Sequence, residues 1–234
     1  MATEPAYAQP LRILLEAPTH GSMTDSVTDA LREGILSGVL VPMTWLREDE
    51  IAQALEVSRT PVREALRRLS DEGLTQRVAN RGTVVAPMTM DEIFAVYAVR
   101  ETLEGLAARH AATRRQPWLI DELTRVHRQM SETDPADTAA FATLNLEFHR
   151  LLRQASGNSY LERFLRQVEH AVRRFGQTTY SAPGRVQETL DEHFAIVQAI
   201  VAGDADEAER CAIHHMRKAR EIRLQQFLAD QVPS

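Results

Sequence analysis

This 234-residue chain is short of cysteine, of lysine and of aromatic residues, which make up only 6% of it. Cys211 is alone, so no internal disulfide forms and a disulfide scaffold is excluded; a reducing compartment, the cytoplasm, is expected. No apolar run approaches the ~18 residues of a membrane-spanning helix. The longest, around Phe194–Ala202, is interrupted by Gln198. The first residues lack a basic stretch followed by an apolar one, so no secretion signal and no membrane partner are expected. What remains is a hydrophobic share of 44% and a charged share of 26%, ordinary for a chain with a buried core. The length suits one large or two modest domains.

Arginine supplies every basic residue except Lys218, a bias that a GC-rich genome produces without any function. The net charge of −6 argues against nucleic acid only if it is evenly spread. It is not. Between Ser58 and Arg81 stand Arg59, Arg63, Arg67, Arg68, Arg77 and Arg81 against Glu64, Asp71 and Glu72, a local +3 that leaves −9 for the rest. A basic island on an acidic body is the electrostatic footprint of a DNA-binding module.

Punctuation divides the chain. Residues 1–22, with Pro5, Pro10, Pro18 and Gly21, read as a flexible arm in which only Leu11–Ala17 can form a short helix. From residue 23, Val27, Leu31, Ile35 and Leu36 recur at helical spacing up to Gly38. A short helix is expected at about Glu48–Leu55 and a third from Thr60-Pro61, with Thr60 as N-cap and Pro61 at the first helical position. Leu74–Ala79 and Thr83–Ala86 around Asn80-Arg81-Gly82 read as a hairpin. After Pro87, apolar stripes predict helices at about 90–115, 117–131, 136–156, 158–180, 184–202 and 204–228. The fold class is mainly α: a winged helix-turn-helix over 23–88, then an all-α antiparallel bundle of about six helices over 89–230.

In the third helix, Val62, Ala65, Leu66 and Leu69 form one apolar stripe, which leaves Arg63 and Arg67 outward with Arg59 beside them. Such a helix can enter the major groove, where arginine pairs bidentately with guanine, while other side chains and backbone N–H groups hold phosphates; Ser58, Thr60 and the wing tip at Arg81-Gly82 are further candidate DNA contacts. The bland alternative is a solvated, arginine-rich helix. The strings Leu31-Arg-Glu-Gly-Ile-Leu-Ser-Gly-Val-Leu, Ser58-Arg-Thr-Pro-Val-Arg-Glu-Ala-Leu-Arg-Arg-Leu, Asp71-Glu-Gly-Leu and Asn80-Arg-Gly resemble the winged helix of GntR-family transcriptional regulators. That resemblance implies contact between these arginines and operator DNA. One departure is Asp49, where family members often carry a base; Arg47 is the candidate substitute.

In the bundle, the informative residues are polar ones on apolar stripes. His149, with Asn145 one turn before it, lies with Phe141, Leu144, Phe148 and Leu152; His193 lies with Leu190, Val197 and Ile200; His215 lies with Ala208, Ala212, Ala219 and Ile222. His214 points away from its stripe. Three inward histidines on three helices meet only at the bundle centre, where neutral imidazoles suit zinc, nickel, copper or iron. Three satisfied core histidines are the alternative. Arg100 also falls on an apolar stripe, and a buried guanidinium needs an anion. Glu104, four residues on, and a bound carboxylate effector are both candidates.

Val99-Arg-Glu-Thr-Leu-Glu-Gly-Leu-Ala-Ala-Arg, Asn145-Leu-Glu-Phe-His-Arg-Leu-Leu, Glu192-His-Phe-Ala-Ile-Val-Gln-Ala-Ile and His215-Met-Arg-Lys-Ala resemble the effector-binding FCD domain of the FadR subfamily. In its metal-binding members an Asp and three His ligate, which correspond here to Asn145, His149, His193 and His215. The resemblance implies a divalent cofactor, zinc first with nickel or another ion as alternatives, beside a small organic acid held by Arg100. The expectation is a homodimeric, ligand-responsive repressor on a palindromic operator. The rival is a metal-dependent enzyme using the three histidines. Glu147 and Glu192 flank ligands in sequence but point off the stripe, so no general base is expected.

Overall fold

The computed structural model describes residues 5–16, 21–79, 81–87, 89–173 and 178–230. The chain separates into two compact units, Met1–Met88 with Arg173–Gly176 and Thr89–Val172 with Gln177–Ser234.

The first unit runs α1 (Ala8–Leu15), α2 (Met23–Leu36), β1 (Trp45–Leu46), α3 (Glu48–Ala54), α4 (Arg59–Asp71), β2 (Thr75–Val78) and β3 (Gly82–Val85). Ser22 and Asp25 close a reciprocal capping box that starts α2. Helix α4 starts two residues earlier than the sequence suggests. Its N-cap is Ser58, so Thr60 and Pro61 lie inside the first turn, where a missing proline N–H still costs no helical bond. It ends in a Schellman arrangement, with Gly73 N donating to Ser70 O and Leu74 N to Leu69 O. The wing is a three-stranded antiparallel sheet in the order β1-β3-β2, with Thr75 opposite Val85 and Val78 opposite Gly82. Strand β1, pairing Trp45 with Val84, was not expected; two residues carry no readable alternation. Gly82 holds φ at +113°, a conformation that glycine reaches without strain.

The flexible arm expected over 1–22 is corrected for its middle. Residues 8–15 form α1, whose Leu11 is fully buried with Val27, Leu31, Ile51 and Leu66 in the core of this unit. Residues 1–4 and 17–20 of that arm, Asn80 of the wing tip and Met88 at the expected boundary lie outside the described residues.

The second unit contains α5 (Met90–Arg114), α6 (Pro117–Glu132), α7 (Thr138–Ala155), α8 (Ser159–Arg173), a 3-10 turn at Thr179–Ser181, α9 (Arg185–Ala202) and α10 (Ala205–Asp230). Six helices are what the stripes predict, with one correction: the helix expected over 158–180 is described only to Arg173, and Thr179–Ser181 forms a 3-10 turn instead of its last turn. Pro117 opens α6 at a position where its lack of an N–H is harmless. Phe141, Phe148, Leu151 and Leu152 of α7 pack with Leu119, Leu123 and Val126 of α6 and Ile196 and Ile200 of α9. Helices α5 and α10 lie so close that a Cβ on Gly105 would stand 2.8 Å from Ile213.

Candidate nucleic-acid interface and metal centre

The turn between α3 and α4 passes through Glu56 in the left-handed region, at φ +55°. It aims α4 so that Val62, Ala65, Leu66 and Leu69 are buried while Arg59, Arg63 and Arg67 stay 59–64% exposed. Ser58, Thr60, Arg81 and Gly82 are exposed as well, and Arg47 is the N-cap of α3. The arginines are not bare. Arg63 forks onto Glu48 through Nε at 3.0 Å and Nη2 at 2.9 Å, and Arg59 Nε lies 2.9 Å from Asp49. Arg67 pairs with Glu64 at 2.7 Å and Asp71 at 3.0 Å, and Arg47 with Glu50 at 3.2 Å. Arg68 of the island turns toward α2 and Asp25, at 2.7 Å. A groove of about 270 Å³ between α4 and the wing is lined by Arg63, Arg67 and Arg77 together with Glu48, Glu64 and Asp71. Sequence reasoning passed over Glu48 and Asp49 as partners, because it counted charge along the chain from Ser58 onward.

In the second unit, the three histidines converge from α7, α9 and α10. His215 Nε2 stands 3.2 Å from His193 Nε2 and 3.3 Å from His149 Nε2, and all three rings are buried. Nitrogens that share a divalent cation at ~2.0–2.1 Å stand about 3.3 Å apart at tetrahedral angles. The donor set therefore fits a metal. Phe148 stacks on His193 with centroids 3.8 Å apart and holds its ring in place. Burial drives the His193 pKa well below its ordinary range. Burial also lowers His215 to about 4, against the opposing pull of Glu192. Both are neutral near pH 7, the state that ligates. Asn145, one turn ahead of His149, carries a buried Oδ1 that accepts no hydrogen bond, an orphaned donor of the kind a cation would satisfy. His214 is exposed, as its position off the stripe predicts.

Two carboxylates stand behind the ring. Glu192 Oε2 accepts from His215 Nδ1 at 2.5 Å, and Arg185, itself 1% exposed, forks onto both oxygens of Glu192 at 2.8 Å. Glu192 was expected to point off the stripe; it does not. A long side chain at the edge of a helical stripe reaches the interior when a buried arginine draws it there. Glu147, by contrast, pairs on the surface with Arg150 at 2.7 Å. Glu104, 1% exposed, lies 3.4 Å from His149 Nδ1 and 3.6 Å from Arg100 Nε. Burial raises its pKa, but His149, Arg100 and Arg153 together overcome that and hold it at about 2. Arg100 therefore has the bland partner foreseen for it, and its guanidinium also stands 5.9 Å from the Tyr97 ring centroid. Arg185 was missed altogether. The available signal was its place on the face of α9 that also carries Thr189, Glu192 and His193.

A winged helix followed by a helical bundle with three inward histidines is the build of a two-domain DNA-binding regulator. Residues 23–85 match the family described as bacterial regulatory proteins, gntR family, and residues 95–218 match the FCD domain. The chain belongs to the GntR family of bacterial transcriptional regulators, in its FCD-containing branch. It is 30% identical to a Paenarthrobacter nicotinovorans protein named "Probable D-xylose utilization operon transcriptional repressor", over 85% of this chain and 87% of that one. It is 27% identical to the HTH-type transcriptional repressor RspR of Escherichia coli (strain K12), over 82% of this chain and 84% of the other. The fold is that of E. coli McbR/YncC, with a TM-score of 0.73 at 22% identity over 89% of this chain and all of that one. These relatives are regulators, so the enzyme alternative has no support. No helix among the described residues is long and apolar enough to cross a membrane.

Proposed function

We propose that this regulator is a cytoplasmic, homodimeric repressor of the FadR subfamily that senses a small carboxylate beside a divalent metal. The observation that carries this reading is the convergence of three buried Nε2 atoms, with the orphaned Asn145 Oδ1 one turn from His149. His149, His193 and His215 would hold the ion, zinc first and nickel or another divalent ion after it, with Asn145 as a fourth donor. When bound, the ion supplies a positive charge that a chelating carboxylate can meet.

The surrounding charges favour an anion. Arg100, Arg153 and Arg185 are buried and already paired, Arg100 with Glu104, Arg153 with Glu169, and Arg185 with Glu192 inside and with the exposed Glu188 at 3.4 Å. With those pairs balanced, a divalent cation leaves the interior short of negative charge, which an organic acid restores. Arg100, at 8% exposure, is the residue assigned to the acid. Arg47, Ser58, Arg59, Thr60, Arg63, Arg67, Arg81 and Gly82 are assigned to operator DNA. One short recognition helix buries too little surface for specific affinity, so two copies on a palindrome are the natural arrangement.

Calorimetric titration of chelated and of zinc-reloaded protein with a panel of small hydroxy- and dicarboxylates tests the reading. Binding that needs both the metal and Arg100 supports it. Binding as tight as that of zinc-reloaded wild type, in either the chelated protein or the Arg100→Ala variant, contradicts it.

A further inference from the structure

The basic island that points to DNA disappears when the facing helix is included. From Arg47 to Arg81 the chain carries seven arginines, and against them stand seven acids: Glu48, Asp49, Glu50, Glu56, Glu64, Asp71 and Glu72. Three of those acids fill the first turn of α3, and two of them reach across to α4. Glu48 accepts from both Nε and Nη2 of Arg63 and stands 3.6 Å from Arg59; Asp49 Oδ1 forms an ion pair with Arg59 Nε at 2.9 Å. Arg59 and Arg63 are 59% and 64% exposed, so these pairs contribute little to stability. Their consequence lies in what the arginines can reach.

We propose that Glu48 and Asp49 are specificity determinants for DNA, holding Arg63 and Arg59 in pairs that only a matched site replaces. The proposal rests on the reading of α4 as the recognition helix. An arginine leaving a forked carboxylate gives up two hydrogen bonds. A guanine edge returns both through O6 and N7, whereas an unmatched base returns fewer. The uncovered carboxylates then lie near phosphates and repel them on any sequence. Non-specific affinity comes from cations neutralising phosphates, so a segment whose arginines are matched by as many acids suppresses it. Matched DNA recovers the cost through base contacts. Unmatched DNA does not.

The test uses a random-sequence duplex and fluorescence anisotropy from about 50 to 200 mM salt. The Glu48→Gln/Asp49→Asn variant is expected to bind it about tenfold tighter at the low end, with a salt slope steeper by about 1–2. Asp49→Asn alone, on a side chain 71% exposed and so safe for folding, moves the same way by less. Asp121→Asn/Glu132→Gln removes the same charge from exposed positions of α6 and is expected to stay within about twofold of wild type. Tightening no greater in the α3 variants than in that control overturns the proposal while leaving the DNA reading intact. If Arg59→Ala/Arg63→Ala binds the duplex as wild type does, the assignment of α4 fails and the proposal falls with it.

Discussion

His215 Nδ1 and Glu192 Oε2 lie 2.5 Å apart, and that bond turns the opposite nitrogen of the same ring toward His149 and His193. A carboxylate behind a ligating imidazole fixes its tautomer and raises its basicity. Glu192→Gln keeps the shape and removes the charge. It is expected to weaken divalent-metal affinity about 10–100-fold, measured by competition with a chelator. Asn145→Asp, which adds a charged donor, is expected to move the same midpoint the other way. An unchanged midpoint in Glu192→Gln would show that His215 needs no support.

Arg63 and Arg67 sit one turn apart on the outward face of α4. Each is expected to cost ~1–3 kcal/mol on truncation to alanine if it meets a base. Anisotropy on a palindromic promoter fragment gives the measurement. Unaltered affinity in the Arg63→Ala/Arg67→Ala double variant would remove α4 from the interface.

Both halves of the fold were legible because their signals are local. Ser58 through Leu69 states its own buried and exposed faces, and Pro117, Gly157 and Gly203 separate bundle helices whose stripes are long. The three inward histidines could be picked out because each shares a stripe with large apolar neighbours. What was hidden depends on tertiary partners. Arg185 stands eight residues before His193 at the first turn of α9, where a charged residue ordinarily means a solvated helix end. Glu192 looks misplaced until Arg185 is known to be inside. Glu48 and Asp49 read as a favourable acidic first turn and disclose nothing of Arg63 or Arg59 across the turn.

The arm before α2 misled for a related reason: three prolines and a glycine outweighed one short amphipathic segment. Leu11 is fully buried against α2 and α3, so Leu11→Ala is expected to destabilise the first unit by ~2–5 kcal/mol. Chemical denaturation of the full chain measures it. A loss below about 0.5 kcal/mol would mean that α1 contributes nothing to this core.

The metal-free protein should lose stability as pH falls. His215 titrates near 6.5 unfolded and at about 4 folded, and His193 is lowered in the same direction. The unfolded chain therefore takes up protons first, and the stability present above pH 6.5 declines toward pH 4. For His215 the decline is roughly 2–3 kcal/mol by pH 4.5. Glu104, held at about 2, gives up its contribution only below pH 4.5, so the two effects separate in pH. Calorimetric melting of chelated protein between pH 7.5 and 5 reads the histidine part; a flat melting temperature across that range would contradict it.

The most direct test of the account is metal content after chelation and reloading with zinc, by elemental analysis of wild type, His193→Ala and His214→Ala. The three Nε2 atoms share one centre, and His214 stands exposed on α10 away from it. The account predicts one ion per chain in wild type and in His214→Ala, and little in His193→Ala. Stoichiometric metal in His193→Ala, or none in reloaded wild type, would contradict it and make the three histidines a packed core.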